Sequence, residues 1–144
     1  MTASKRLLPV KRIAESRERK AAKRFGDSKR HVHEQEAKLE ELKRYHQEYL
    51  ERFQETSRNG ISTAQLIEYR AFLEKLELAI REQTRIVELS QNECTSRKQE
   101  WQKKHVRTQV LGKAVDRMRS AEQKVEEGRE QKELDDRNQR NRRN

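Results

Sequence analysis

One short break divides the chain into two helix-prone halves, and it limits the possible folds more than any other feature. The break contains Asn59 and Gly60, a dipeptide that tolerates positive φ and often ends a helix. Ser62 and Gln65 follow at the spacing of a capping box, which marks the start of a helix. One helix therefore ends and another begins within a turn near residues 57–62. A connection this short makes the two helices antiparallel neighbours.

On both sides of the break, apolar residues recur at alternating intervals of three and four, which is the heptad pattern of a coiled coil. This seam covers residues 25–53 before the break and 66–118 after it. Facing residues of an antiparallel pair have numbers with a nearly constant sum, here 118 or 119, which places Gln35 opposite Gln83. The same register pairs Phe53 with Leu66, Leu42 with Leu76, Leu39 with Ile80, Val32 with Val87 and Ser28 with Ser90. The sequence therefore predicts an all-α fold, a long two-helix antiparallel coiled-coil hairpin.

The two ends of the chain are expected to differ from the paired part. The seam of the first helix runs out near Leu7, which the same register places opposite Gly112. The second helix is therefore expected to continue beyond that point without a partner. We assign residues 1–128 to the hairpin. Residues 129–144, which are highly charged and keep no seam, are expected to form a frayed, basic and disordered tail.

Composition and motifs argue against an enzyme. Of the 144 residues, 31% are hydrophobic and 42% are charged, which is too little apolar material for a thick core. The four glycines are isolated, so no phosphate-binding loop is present. His31 and His33 point to different helix faces, and Cys94 lies in the seam, where burial is the simplest interpretation. We therefore expect no catalytic residue, no metal and no cofactor, and we find no run typical of a signal peptide or membrane span.

Positive charge is concentrated at the start of the chain. Residues 1–30 contain eleven Lys or Arg and three Asp or Glu, in a chain of net charge +10. A basic helix followed by heptads is also the layout of a bZIP protein, but here the seam turns back and the basic run lacks an Asn to read a base edge. A solvated or protein-binding face is favoured, and nucleic-acid binding is the alternative. The candidate residues, called the basic segment below, are Arg17, Arg19, Lys20, Lys23 and Arg24.

A further candidate site lies beside the seam. The heptad g positions hold Tyr45 and Phe72, and the two g rows of an antiparallel pair lie along the same side. The opposite flank is charged, and there Lys43 is expected to meet Glu77. Exposed aromatic clusters often mark partner sites, although these rings could also simply widen the core. The candidate set, called the aromatic patch below, comprises Leu42, Tyr45, Tyr49, Phe72, Leu76 and Ala79.

The stretches YHQEYLERFQETSRNGIS (45–62) and LIEYRAFLEKLELAI (66–80), with the hairpin length and the basic C-terminus, resemble the flagellar type III export protein family FliJ. The resemblance covers essentially the whole chain. It implies a non-enzymatic, stalk-like component, similar to the central stalk of rotary ATP synthases, that links the export ATPase ring to the export gate. It also maps the gate-binding surface onto the aromatic patch. At the edges of that surface, Lys38 and Gln83 differ from the family's residue types.

The same resemblance implies partners and a location. The partners are the export ATPase ring, the cytoplasmic domain of the export gate, and export chaperones that deliver substrates. The location is cytoplasmic, peripheral on the cytoplasmic side of the cell membrane. The basic segment is expected to contact the ATPase, and the chain by itself is expected to be a monomer. Two alternatives remain: the equivalent stalk of a virulence-type secretion system, and a basic coiled-coil protein that binds nucleic acid.

Overall fold

The computed structural model describes residues 1–143 and contains two helices. Helix α1 covers Ala3–Arg58 and helix α2 covers Thr63–Arg143. Early residues of α1 contact late residues of α2, as in the contact of Ser4 with Glu122. The fold is therefore the predicted all-α antiparallel hairpin, and the described part of the chain contains no strand.

The turn between the helices forms as the sequence predicts. Gly60 has a φ of 94°, and it is the one residue of positive φ within the described range. The backbone N–H of Ser62 donates to Oε1 of Gln65 at 3.2 Å, and the N–H of Gln65 donates to Oγ of Ser62 at 3.2 Å. This reciprocal pair is a capping box, and it supplies partners for backbone groups that the first turn of α2 leaves unpaired.

Contacts between α-carbons divide the chain into two compact units. The terminal unit combines residues 1–21 with those from residue 100 onward, and the turn unit comprises residues 22–99. Each unit contains a length of both helices, so each has its own part of the seam.

In the turn unit, the predicted seam positions are all buried or half-buried. Gln35 and Gln83 are buried, and Nε2 of Gln83 donates to Oε1 of Gln35 at 2.9 Å and to its backbone oxygen at 3.0 Å. This confirms the predicted polar pair. Ser28 and Ser90 instead donate their hydroxyls to carbonyls of their own helices, because a carbonyl three residues earlier lies within reach of a helical serine.

The predicted ion pair on the charged flank is wrong. Nζ of Lys43 lies 4.0 Å from Oε1 of Glu40 on the same helix. Oε1 of Glu77 lies 3.7 Å from Nε2 of His46, a seam residue whose Nε2 is buried without a hydrogen bond. His46 is closer to α2 than Lys43 because it occupies a seam position, and it therefore takes the place opposite Glu77.

In the terminal unit, the buried apolar residues are Ala14, Ala21 and Val115. The backbone N–H and the hydroxyl of Ser4 donate to the carboxylate of Glu122, at 3.0 and 2.6 Å. The expectation that α2 is unpaired beyond Gly112 is therefore wrong. Long helical side chains lean toward the N-terminus of their own helix, so Glu122 reaches back to a helix that starts before Leu7.

Beyond Glu122, α2 continues to Arg143. Residues 129–143 are helical and all exposed, and Asn144 lies outside the described residues. Glu, Lys, Gln and Arg are good helix formers, so local propensity can maintain a helix where no tertiary contact exists. Fraying of this segment in solution stays a prediction. No helix within the described range is long and apolar enough to cross a membrane.

Candidate functional site

Aromatic side chains from both helices interlock in the turn unit. The rings of Tyr45 and Phe72 meet edge to face, with centroids 5.9 Å apart. The ring centroid of Tyr49 lies 4.4 Å from that of Phe72 and 5.2 Å from that of Tyr69. Contacts of this kind stabilise beyond the area that they bury. Tyr69 lies outside the aromatic patch, and its seam position three residues after Leu66 is the sequence signal that places it here.

The six residues of the aromatic patch lie at different depths. Leu76 is almost fully buried, with 6% of its surface exposed, whereas Tyr45 is 44% exposed. The other four residues are half-buried: Leu42, Tyr49, Phe72 and Ala79. The patch therefore combines a buried support with an exposed aromatic edge, and its position on one flank agrees with the heptad assignment.

An open groove of about 350 Å³ adjoins the patch. Its lining residues are Lys38, Glu41, Leu42, Tyr45 and Gln83. Lys38 and Gln83 therefore line the same groove as Tyr45. The carboxamide of Gln83 is held by its hydrogen bonds to Gln35, which leaves Lys38 and Glu41 as the charged edge of the groove.

The pKa of the Tyr49 phenol is raised, first because the ring is removed from water and then because of the neighbouring Tyr69 and Tyr45. The hydroxyl therefore stays protonated at neutral pH and can donate a hydrogen bond. Tyr49 contributes an uncharged side chain to the patch.

The five residues of the basic segment are all exposed. Arg17, Arg19 and Lys20 belong to the terminal unit, and Lys23 and Arg24 belong to the turn unit. In the terminal unit the adjacent acid, Glu18, is half-buried, and its Oε1 lies 2.5 Å from Nδ1 of His105. The heptad pattern does not predict this contact.

The imidazole of His105 also stacks on Trp101, with ring centroids 5.2 Å apart. The hydrogen bond from His105 is the main reason that the pKa of Glu18 is lowered, and burial partly opposes it. Glu18 and His105 thus form a polar contact between α1 and α2 within the terminal unit.

Metal-binding geometry is missing from residues 1–143, where no three His, Cys, Asp or Glu residues form a group able to hold an ion. Cys94 is a free, half-buried cysteine. Two surface features stand out among the described residues: the aromatic patch and the exposed cations of the basic segment. Together with the two long helices, they place the protein in the class of all-α antiparallel hairpins.

Comparison with known families makes the assignment specific. The family described as flagellar FliJ protein matches residues 4–144, nearly the whole chain. The chain therefore belongs to the FliJ family, and membership supports a role related to flagellar protein export rather than a catalytic one. No curated protein and no solved structure gives a significant match.

Proposed function

We propose that this chain is a non-enzymatic stalk of the flagellar type III export apparatus, linking the export ATPase ring to the export gate. The observation that carries the proposal is the exposed edge of Tyr45, held against Phe72 of the other helix, on a chain of the FliJ family. Aromatic residues that are partly exposed and well supported are common anchors of protein interfaces.

In this proposal, the cytoplasmic domain of the gate binds the aromatic patch. Tyr45 and Phe72 supply the contact, while the buried Leu76 fixes the helix beneath them. The adjoining groove, edged by Lys38 and Glu41, would take a polar residue of the gate. The hydroxyls of Tyr45 and Tyr49 offer further hydrogen bonds at the rim of such an interface.

The export ATPase would bind the basic segment. Exposed cations guide association with an acidic partner and raise the association rate, an effect that salt weakens. Export chaperones are the third proposed partner, and we assign them no residues. The proposed location is the cytoplasm, peripheral to the cytoplasmic side of the membrane.

Two other functions were left open by the sequence. The matching family is described as flagellar, which favours the flagellar machine over a virulence-type secretion system. The seam residues of α1 and α2 belong to one antiparallel hairpin, which disfavours a bZIP-like nucleic-acid binder. That class needs two parallel helices that enter the groove of DNA together.

Two variants of the full chain test the proposal. Tyr45→Ala combined with Phe72→Ala should weaken binding to the purified gate domain by roughly tenfold or more and leave ATPase binding unchanged. Replacing the five residues of the basic segment by Glu should weaken ATPase binding and leave gate binding unchanged, because the aromatic patch lies elsewhere on the chain. Ile67→Ala is the control, since this exposed residue of α2 lies outside the patch. The linking role fails if both variants lose both partners equally, or if neither loses any.

A further inference from the structure

The outer side of the first part of α1 carries no acidic side chain. Within residues 1–21 the only acids are Glu15 and Glu18, and both are half-buried. Glu18 contacts His105 of α2, and Oε1 of Glu15 lies 3.7 Å from Nζ of Lys11. The exposed cations of this stretch are Lys5, Arg6, Arg12, Arg17, Arg19 and Lys20. The exposed charged residues of α1 in the terminal unit are therefore all basic.

Two aliphatic side chains lie exposed among these cations. Val10 is 41% exposed and Ile13 is 54% exposed. Arg6, Val10, Ile13 and Arg17 follow one another at intervals of four, three and four, so they share one face of the helix. Single exposed aliphatic residues are ordinary. An adjacent pair within an acid-free cationic face is the composition of a helix that lies in a membrane interface.

We propose that this face of the terminal unit binds an anionic lipid surface. Val10 and Ile13 enter the boundary between headgroups and acyl chains, while the surrounding Arg and Lys side chains remain at the anionic headgroups. A lipid surface matches both components of the face. Duplex DNA would satisfy the cations but would leave both aliphatic side chains in water.

The inference deepens the proposed peripheral membrane location by assigning a lipid-binding face to it, and it does not depend on the stalk function. Arg17, Arg19 and Lys20 also belong to the basic segment, so a lipid surface and the export ATPase would compete for the same cations. Lipid binding and ATPase binding are then alternative states of the terminal unit, which purified components can show directly.

The test measures co-sedimentation of the full chain with vesicles. Phosphatidylcholine vesicles are compared with vesicles containing about 30% phosphatidylglycerol, at about 150 mM salt. The wild-type chain should sediment with the anionic vesicles and not with the neutral ones. Val10→Ser combined with Ile13→Ser should weaken this binding by roughly tenfold or more, although the charge is unchanged.

The chain offers a matched control. Val106 and Val110 are 56% and 60% exposed on α2 within the same unit, so Val106→Ser combined with Val110→Ser removes a similar pair. This control should bind anionic vesicles like the wild type. Circular dichroism should show equal helix content in both double variants, and gate binding should be intact in both.

Three results would overturn the proposal. The first is no binding of the wild type to anionic vesicles. The second is an equal effect of the two double variants, including no effect of either, which would mean that Val10 and Ile13 have no special role. The third is tight binding to duplex DNA at the same salt, without vesicle binding, which would assign the cationic face to nucleic acid.

Discussion

Leu76 and Tyr45 belong to the same patch, but burial separates their roles. Leu76→Ala should lower the free energy of unfolding by about 2–5 kcal/mol, because the leucine is 6% exposed and its removal leaves a cavity. Tyr45→Ala should cost less than about 1 kcal/mol, because the ring is already 44% exposed. Urea denaturation of both variants measures the difference. An equal loss in the two variants would show that the Tyr45 ring is part of the core and would weaken its role as an anchor.

The buried pair of Gln35 and Gln83 fixes the register of the turn unit. Gln83→Leu alone should destabilise the chain by about 1–3 kcal/mol, because Gln35 then keeps a buried amide without its partner. The double variant with Leu at both positions should recover the stability or exceed it. Thermal unfolding distinguishes these outcomes. If the double variant is less stable than Gln83→Leu, the two amides are not coupled.

Acid should weaken the terminal unit through Glu18. Its pKa is lowered, chiefly by the hydrogen bond from His105, so the folded state favours the carboxylate more than the unfolded state does. This contribution is complete above the ordinary carboxyl pKa and is lost as the pH falls through the lowered value. Glu18→Gln should therefore flatten the dependence of unfolding temperature on pH in the acid range. An unchanged pH profile in that variant would mean that Glu18 does not contribute.

At the residue scale, the sequence predicts side-chain contacts within the seam but not those that long side chains make outside it. The heptad pattern predicted Gln35 with Gln83 because both side chains point along the seam. It could not predict Glu18 with His105 or Ser4 with Glu122, where a long side chain reaches back toward its own N-terminus. The aromatic flank was predictable, since g positions follow from the seam, but the exposed fraction of each ring required the structure.

At the scale of the elements, the turn depends on one glycine. Gly60→Ala should destabilise the hairpin by about 1 kcal/mol or more, because a φ of 94° disfavours any residue with a Cβ. Gly26→Ala is the contrasting control. It lies inside α1 with no atom within 4 Å of a new Cβ, so alanine should stabilise the helix by about 0.5–1 kcal/mol. Chemical denaturation of the two variants should give opposite signs. A neutral or stabilising effect of Gly60→Ala would mean that the turn is not strained for alanine.

Local sequence signals predict where the helices end and begin at the turn, but they do not predict where α2 ends. Gly60 and the capping pair of Ser62 and Gln65 are local chemistry, and the structure forms all of it. The tail has no comparable signal. Its residues favour a helix, yet residues 129–143 are all exposed. The sequence therefore indicates helix propensity there but does not indicate how stable the helix is. Hydrogen exchange should be fast from residue 129 onward and slow at Val115; slow exchange in both places would contradict the predicted fraying.

At the scale of the whole molecule, both the net charge and the packing of the seam disfavour self-association. The seam positions of α1 pack against α2 of the same chain, so the seam is not available to a second copy. A net charge of +10 adds repulsion between copies at low salt.

The chain should sediment as a monomer with a mass near 17.4 kDa at low micromolar concentration. Raising the salt should not change this mass, because screening removes repulsion but supplies no apolar contact. Sedimentation equilibrium at low and high salt provides the measurement, and the Gln35→Leu, Gln83→Leu double variant provides the comparison. Replacing a polar seam pair by leucine removes the feature that disfavours other pairings, so this variant should associate more than the wild type. A stable wild-type dimer at low micromolar concentration would instead support the parallel, zipper-like arrangement, in which the seam joins two chains.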